Sequence, residues 1–236
     1  MSNYRIDKFK DFLLKLSRAG WREADNVIKN NIASLDEKTF DDIFFDKNIY
    51  EPLVDNCKLS HWVEEKMLTA ALLKYSSKAD SILRKSTINK VREIILARGL
   101  YSNVSVLDHV ARNDDGPVQH IAAQFCSVDA LRDIVDSRCS KVRKVVFQRL
   151  GPVECLDLML SDKKADIREE GVRMAPFGYE KLNDMTKEIA RGPFTELVGK
   201  ISGEYLPMLL ANRNLKNAWI SNKLQIRLSV EGNENE

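Results

Sequence analysis

Three stretches of the chain carry one pattern of apolar and polar positions. Aligning VLDHVARNDDGPVQHIAAQFC (residues 106–126), ALRDIVDSRCSKVRKVVFQRL (130–150) and CLDLMLSDKKADIREEGVRMA (155–175) puts Leu107, Leu131 and Leu156 in one column. Val110, Ile134 and Met159 form a second column, and Val118, Val142 and Ile167 a third. The step is 24 residues and then 25, the period of a stack of supersecondary units in which each unit buries its apolar face against the next. Within a unit, the first apolar pair lies three residues apart, as in a short helix. A polar turn follows (NDDGP, SRCS or SDKKAD), and then Val118, Ala122 and Phe125, or Val142, Val146 and Leu150, recur at three- or four-residue steps. That spacing predicts a helix with one buried stripe. Ser140 can cap the second of these helices, Gly116-Pro117 opens the equivalent one, and Pro152 and Pro176 stop the helices before them.

The pattern extends both ways. Upstream, Met67, Leu83 and Val91 keep the register to about residue 60, although Asp80 falls on the first leucine column; a terminal unit with no outer neighbour is expected to be atypical. Downstream, Leu182, Met185, Phe194, Leu197 and Val198 keep the order with a few extra residues, and EYLPMLLANR and NLKNAWISNKLQIRL read as a last helix pair. Before the repeat, Phe9, Phe12, Leu13 and Leu16 predict a helix from Ile6 to Arg18 that Gly20 ends, and Trp21, Ala24, Val27, Ile28 and Ile32 predict a second. Ser34-Leu-Asp-Glu37 reads as a capping box for a third, carrying Phe40, Ile43, Phe44 and Phe45. Trp21, Trp62 and Trp219 read as core residues or seams between units, and EGNENE as a disordered acidic tail. The expected organisation is a helical cap over 1–58, a repeat region over 59–228 and a tail over 229–236.

Leu-x-x-Leu, a polar turn, then Val-Arg and an apolar stripe resembles the leucine-rich variant repeats, relatives of the HEAT repeats. Val142-Arg143, Ile167-Arg168 and Val91-Arg92 carry the resemblance, with Gly151-Pro152 and Ala175-Pro176-Phe177 near unit ends; Val118-Gln119 departs from it. The resemblance implies an all-α fold: a right-handed α-solenoid of about five to six two-helix repeats of 24–27 residues, with a surface for macromolecules. An iron–sulfur cluster held by grouped cysteines is known in that family. Cys57, Cys126, Cys139 and Cys155 are too scattered here to form such a group.

Composition narrows the chemistry without naming it. Of 236 residues, 44% are hydrophobic and 31% charged, with 37 Lys and Arg against 35 Asp and Glu, so net charge favours neither nucleic acid nor its avoidance. The cysteines form no CxxC pair and read as reduced, mostly buried thiols. The opening MSNYRIDKFKDFLLKL is interrupted by charge and is not read as a secretory signal, and no apolar run reaches the roughly 18 residues of a membrane span; a cytoplasmic protein is expected. His61, His109 and His120 have no ligand-type neighbours at a common face, and nucleotide, zincin and hydrolase-elbow motifs do not occur. No cofactor and no metal are expected. Seven acids against Lys38 and Lys47 make residues 34–55 locally acidic, and Asp41-Asp42 read as solvated helix carboxylates.

Basic residues gather in the second helices. If units stack in register, Arg92, Arg143 and Arg168 form a ladder, with Arg98, Lys141 and Lys144 beside it, that could follow a phosphate backbone. The same arginines could instead pair with acids of the adjacent turn, such as Asp136 or Asp166. The leading expectation is a non-enzymatic interaction module whose partner is another protein. A nucleic-acid-binding protein using the basic ladder is the alternative. An enzyme of the helical-repeat alkylpurine DNA glycosylase kind is the third, although no unit assembles its Trp, Asp and Arg.

Overall fold

In the computed structural model, which describes residues 2–188, 190–211 and Gln225, all regular structure is helical. The chain divides into two compact units, Met1–Val142 and Arg143–Glu236. The division falls inside one helix, Ser140–Leu150.

The first unit begins with α1 (Ser2–Arg18), α2 (Trp21–Ser34), α3 (Glu37–Phe44) and α4 (Lys47–Cys57). The heptad-like spacing of Phe9, Phe12, Leu13 and Leu16 puts all four in the core. Phe9 meets Phe12 and Phe44 edge-on at ring separations of 5.5 and 5.8 Å, a favoured aromatic geometry. The capping-box expectation needs correction. Ser34 is the last residue of α2 and its hydroxyl donates to the Asn31 carbonyl. Asp36 caps α3 instead, accepting from the Thr39 N–H at 2.8 Å, because Leu35 breaks the helical backbone with an extended conformation and moves the start of α3 two residues on. These hydrogen bonds, the Thr39 backbone N–H foremost, hold the Asp36 carboxyl below its ordinary pKa.

This N-terminal group is fastened to α5 (His61–Lys74) by polar contacts. The Lys74 ammonium donates to the carbonyls of Ile32, Ala33 and Leu35 at 2.6–2.9 Å, satisfying orphan acceptors at the end of α2. Buried Glu64 accepts from the Tyr50 hydroxyl at 2.7 Å and pairs with Lys90. The Phe40 and Tyr75 rings lie 4.5 Å apart with their planes tilted by 38°.

The rest of the first unit is a series of short helices that carry the first and second apolar stretches of the sequence pattern in turn: α6 (Ala79–Lys85) and α7 (Asn89–Ala97), α8 (Val104–Asn113) and α9 (Gly116–Ala123), then α10 (Val128–Asp133). First helices contact first helices (α6 with α8, α8 with α10) and second contact second (α7 with α9). Phe125 departs from the expected stripe: α9 ends at Ala123, so Phe125 falls in the turn and is 50% exposed, while Cys126 is buried. Trp62, expected in core or seam, is 43% exposed, with the Lys66 ammonium 4.2 Å above its ring. Only the helical backbone of Trp21 is described, and Trp219, the expected helix from Asn214 on and the expected tail lie outside the described residues.

Helix α11 (Ser140–Leu150) spans the division. The second unit continues with α12 (Pro152–Leu160), α13 (Ala165–Met174), a 3-10 helix (Glu180–Lys187), α14 (Arg191–Lys200) and α15 (Leu206–Leu210). Gly151 turns the chain into α12 at φ 80°, a region that glycine adopts without penalty. Leu182 and Met185, three residues apart, fit the tighter 3-10 period. They join Val172, Phe194, Leu197 and Val198 in one core. The aligned columns are buried throughout, except that Leu156 is only partly so. Gly171 lets α13 approach α12 so closely that an added Cβ would lie 2.9 Å from the Met159 Cβ.

Ile167, 2% exposed in its column, gives a direct check. Ile167→Asp buries an unpaired carboxylate and is expected to cost more than about 4 kcal/mol; unchanged circular dichroism and an unchanged melting temperature would contradict the buried column.

Candidate functional site

The residue after each buried valine or isoleucine sits at the first turns of a second helix and points back along it. Arg92 is 8% exposed. Its Nε donates to the Leu83 carbonyl at 3.1 Å and its terminal nitrogens grip the Asp114 carboxylate, 22 residues ahead. In the second unit, Arg143 donates through Nε and a terminal nitrogen to Asp162 at 2.6 and 2.8 Å. Arg168 donates to Glu188 at 2.5 and 3.0 Å and to the Asp162 carbonyl at 2.7 Å. Each acid stands in a polar turn about one repeat ahead of its arginine. The partners are therefore not Asp136 or Asp166, both exposed, and Glu169 and Glu170 pair with Arg173.

Gln119, where the arginine is missing, performs the same task with neutral groups. Its amide donates to the Ala111 carbonyl and its oxygen accepts from the Ser137 hydroxyl, both at 2.8 Å. A hydroxyl replaces the acid where an amide replaces the guanidinium, so no charge is left buried alone. The turn residues also serve their own helices: Asp162 accepts from the Lys164 N–H at 2.7 Å, Glu188 from the Ala190 N–H at 2.8 Å and the Ser137 hydroxyl from the Cys139 N–H at 3.3 Å. A second set of links joins the first helices. Asp80 accepts from the Ser102 N–H at 2.9 Å, Asp108 from the Ser127 N–H and hydroxyl at 2.7 and 2.9 Å, and Asp157 from the Tyr179 hydroxyl at 2.9 Å.

Electrostatics follow the contacts. Burial pushes the Asp162 carboxyl up, but hydrogen bonds from Arg143 and the Lys164 N–H, with the charges of Arg143 and Arg168, bring it below the ordinary value of 3.8. The Glu188 hydrogen bond raises Arg168. Arg98 is exposed and lies 3.9 Å from Glu65; Lys141 and Lys144 are exposed on α11. The described residues contain no group of three or more His, Cys, Asp or Glu that could hold a metal ion. Cys57, Cys126 and Cys155 are buried free thiols and Cys139 is half-buried; burial raises the Cys57 and Cys155 thiols. No described helix is long and apolar enough to cross a membrane.

Comparison with protein-family models, with curated proteins and with solved structures finds no match. The site must be read from the chain alone.

One set of residues escaped the periodic reading. Val104, Val128, Val153 and Phe177 recur at steps of 24, 25 and 24 at or just before the first turn of a first helix or its 3-10 counterpart. All are exposed: Val104 and Val128 about half, Phe177 69% and Val153 98%. Met174, the last residue of α13, and Phe125, in the turn after α9, are exposed beside them in sequence. The 24-residue step was a sufficient signal for this column, but periodicity alone does not tell an apolar column facing the core from one facing solvent.

Two measurements test the links. Asp162→Asn should cost about 3 kcal/mol at neutral pH by stranding part of a buried guanidinium charge. Because the folded carboxyl titrates below its unfolded value, its stabilisation is complete above that ordinary 3.8 and is lost as pH falls through the folded value. Thermal melts against pH should therefore show a steeper acid limb for wild type than for Asp162→Asn. Gln119→Arg alone should destabilise by about 2–3 kcal/mol, and adding Ser137→Asp should recover most of it; additive effects in a denaturant-based double-mutant cycle would refute the exchange of partners.

Proposed function

We propose that this chain is a helical-repeat interaction module, an α-solenoid of HEAT-like or leucine-rich-variant-like units, that binds another protein and catalyses nothing. The contact of first helices with first and second with second, and links that reach one repeat ahead, support the repeat architecture. The observation that carries the binding role is the recurrence of exposed apolar residues at one position of the sequence pattern, Val104 and Val128 in the first unit and Val153 and Phe177 in the second. Val153 is 98% exposed and Val104 and Val128 about half. Recurring exposed apolar groups are the chemistry of protein partners.

Nucleic acid is the weaker reading. The donors that a phosphate ladder would use on Arg92 and Arg168 are already given to Asp114, Glu188 and two carbonyls. Arg98, Lys141 and Lys144 remain as exposed cations, too few to make a strongly salt-dependent site.

The test compares wild type with Val153→Asp/Phe177→Asp, both exposed, so the melting temperature should hold within about 2 °C. Protein purified from its native cell with nuclease treatment should retain a stoichiometric protein partner that the double variant loses. Retention of nucleic acid and of no protein partner in a parallel purification without nuclease, with affinity falling steeply between low and high salt, would replace this reading with the second.

A further inference from the structure

The first unit carries a separate apolar groove, independent of the exposed column. It lies along α2 and α5, has a volume of about 750 Å³, and falls in the size range of built binding sites. Its floor includes Ile28 and Ala70, and its walls carry two exposed apolar side chains, Trp62 at 43% and Leu73 at 57%. Trp62 is large and half out of water, and the Lys66 ammonium, which also pairs with Asp25 at 2.7 Å, lies 4.2 Å from its ring centroid.

We infer that this groove receives the apolar face of an amphipathic helix of a partner protein whose flanks carry carboxylates. A furrow between two helices accepts the ridge of a third, and no strand edge exists among the described residues to receive an extended peptide. Charge selects the flanks: Lys29, Lys66, Lys74 and Arg98 line the groove against Asp25 and Glu65, an excess of two positive charges. Trp62 and Leu73 then act as the apolar anchors, with basic groups at the rim.

Labelled model helices of roughly 18 residues, long enough to follow the groove for five turns, test this on the full-length protein. One carries a leucine face with glutamate flanks, the other the same face with lysine flanks. Fluorescence anisotropy should show saturable binding of the acidic helix, about tenfold or more tighter than the basic one. Leu73→Glu should weaken it by a similar factor, and Lys29→Glu/Arg98→Glu, at two exposed positions, should reverse the preference between the helices. No binding of the acidic helix, equal or stronger binding of the basic helix by wild type, or binding indifferent to both variants overturns the inference. Concentration-dependent self-association abolished by Leu73→Glu would assign the groove to a second copy instead. Val153→Asp/Phe177→Asp should leave acidic-helix binding unchanged, so failure of the groove and failure of the exposed column are read separately.

Discussion

A guanidinium taken out of water must give its donors to acceptors and its charge to a carboxylate, or the fold loses several kcal/mol. That constraint governs the repeat. The apolar columns can be buried only by close approach of neighbouring second helices, and the residue after each column is drawn into the same space. Arg92, Arg143 and Arg168 solve the problem alike, spending donors on a carboxylate in a polar turn one repeat ahead. Arg92 adds the Leu83 carbonyl near the end of α6, and Arg168 the Asp162 carbonyl in the turn after α12. The link therefore spans two helices and two repeats at once, and fixes both register and orientation, which apolar contact alone leaves loose.

Gln119 shows how firmly this requirement holds. The chain departs from arginine there, and its partner departs from an acid to Ser137, so the departure is a matched pair. Asp162 gives the strongest form of the arrangement. Its side chain pairs with Arg143, its carbonyl accepts from Arg168, and the same carboxylate holds the Lys164 N–H. Polar turns that look like solvated loops are thereby half internal, and the first helices are held by their own links through Asp80, Asp108 and Asp157.

This allocation shapes what remains for recognition. Arginines that could have formed a phosphate-binding stripe are consumed by the fold, and the acidic segment over 34–55 is partly consumed too: Asp36 and Asp46 cap helices, and Glu37 and Asp41 hold Lys78. Large apolar side chains remain exposed: Val153 and Phe177 in the second unit, and Trp62 and Leu73 beside the groove of the first. Protein partners suit such surfaces better than polyanions do.

The periodic sequence was enough to read the all-α class, the helix pairs and most of the buried columns, because a 24-residue step and three- or four-residue apolar spacing are properties of the chain itself. It misread Ser34 as a cap, since which of two neighbouring polar residues ends the loop depends on the extended backbone at Leu35. It placed Trp62 and Phe125 inside, because a spacing shows which residues share a face and not which face meets water. Only the tertiary structure could choose Asp114, Asp162 and Glu188 over Asp136 and Asp166 as arginine partners. Side chains about 20 residues apart meet through packing, and no local rule of the sequence contains that distance.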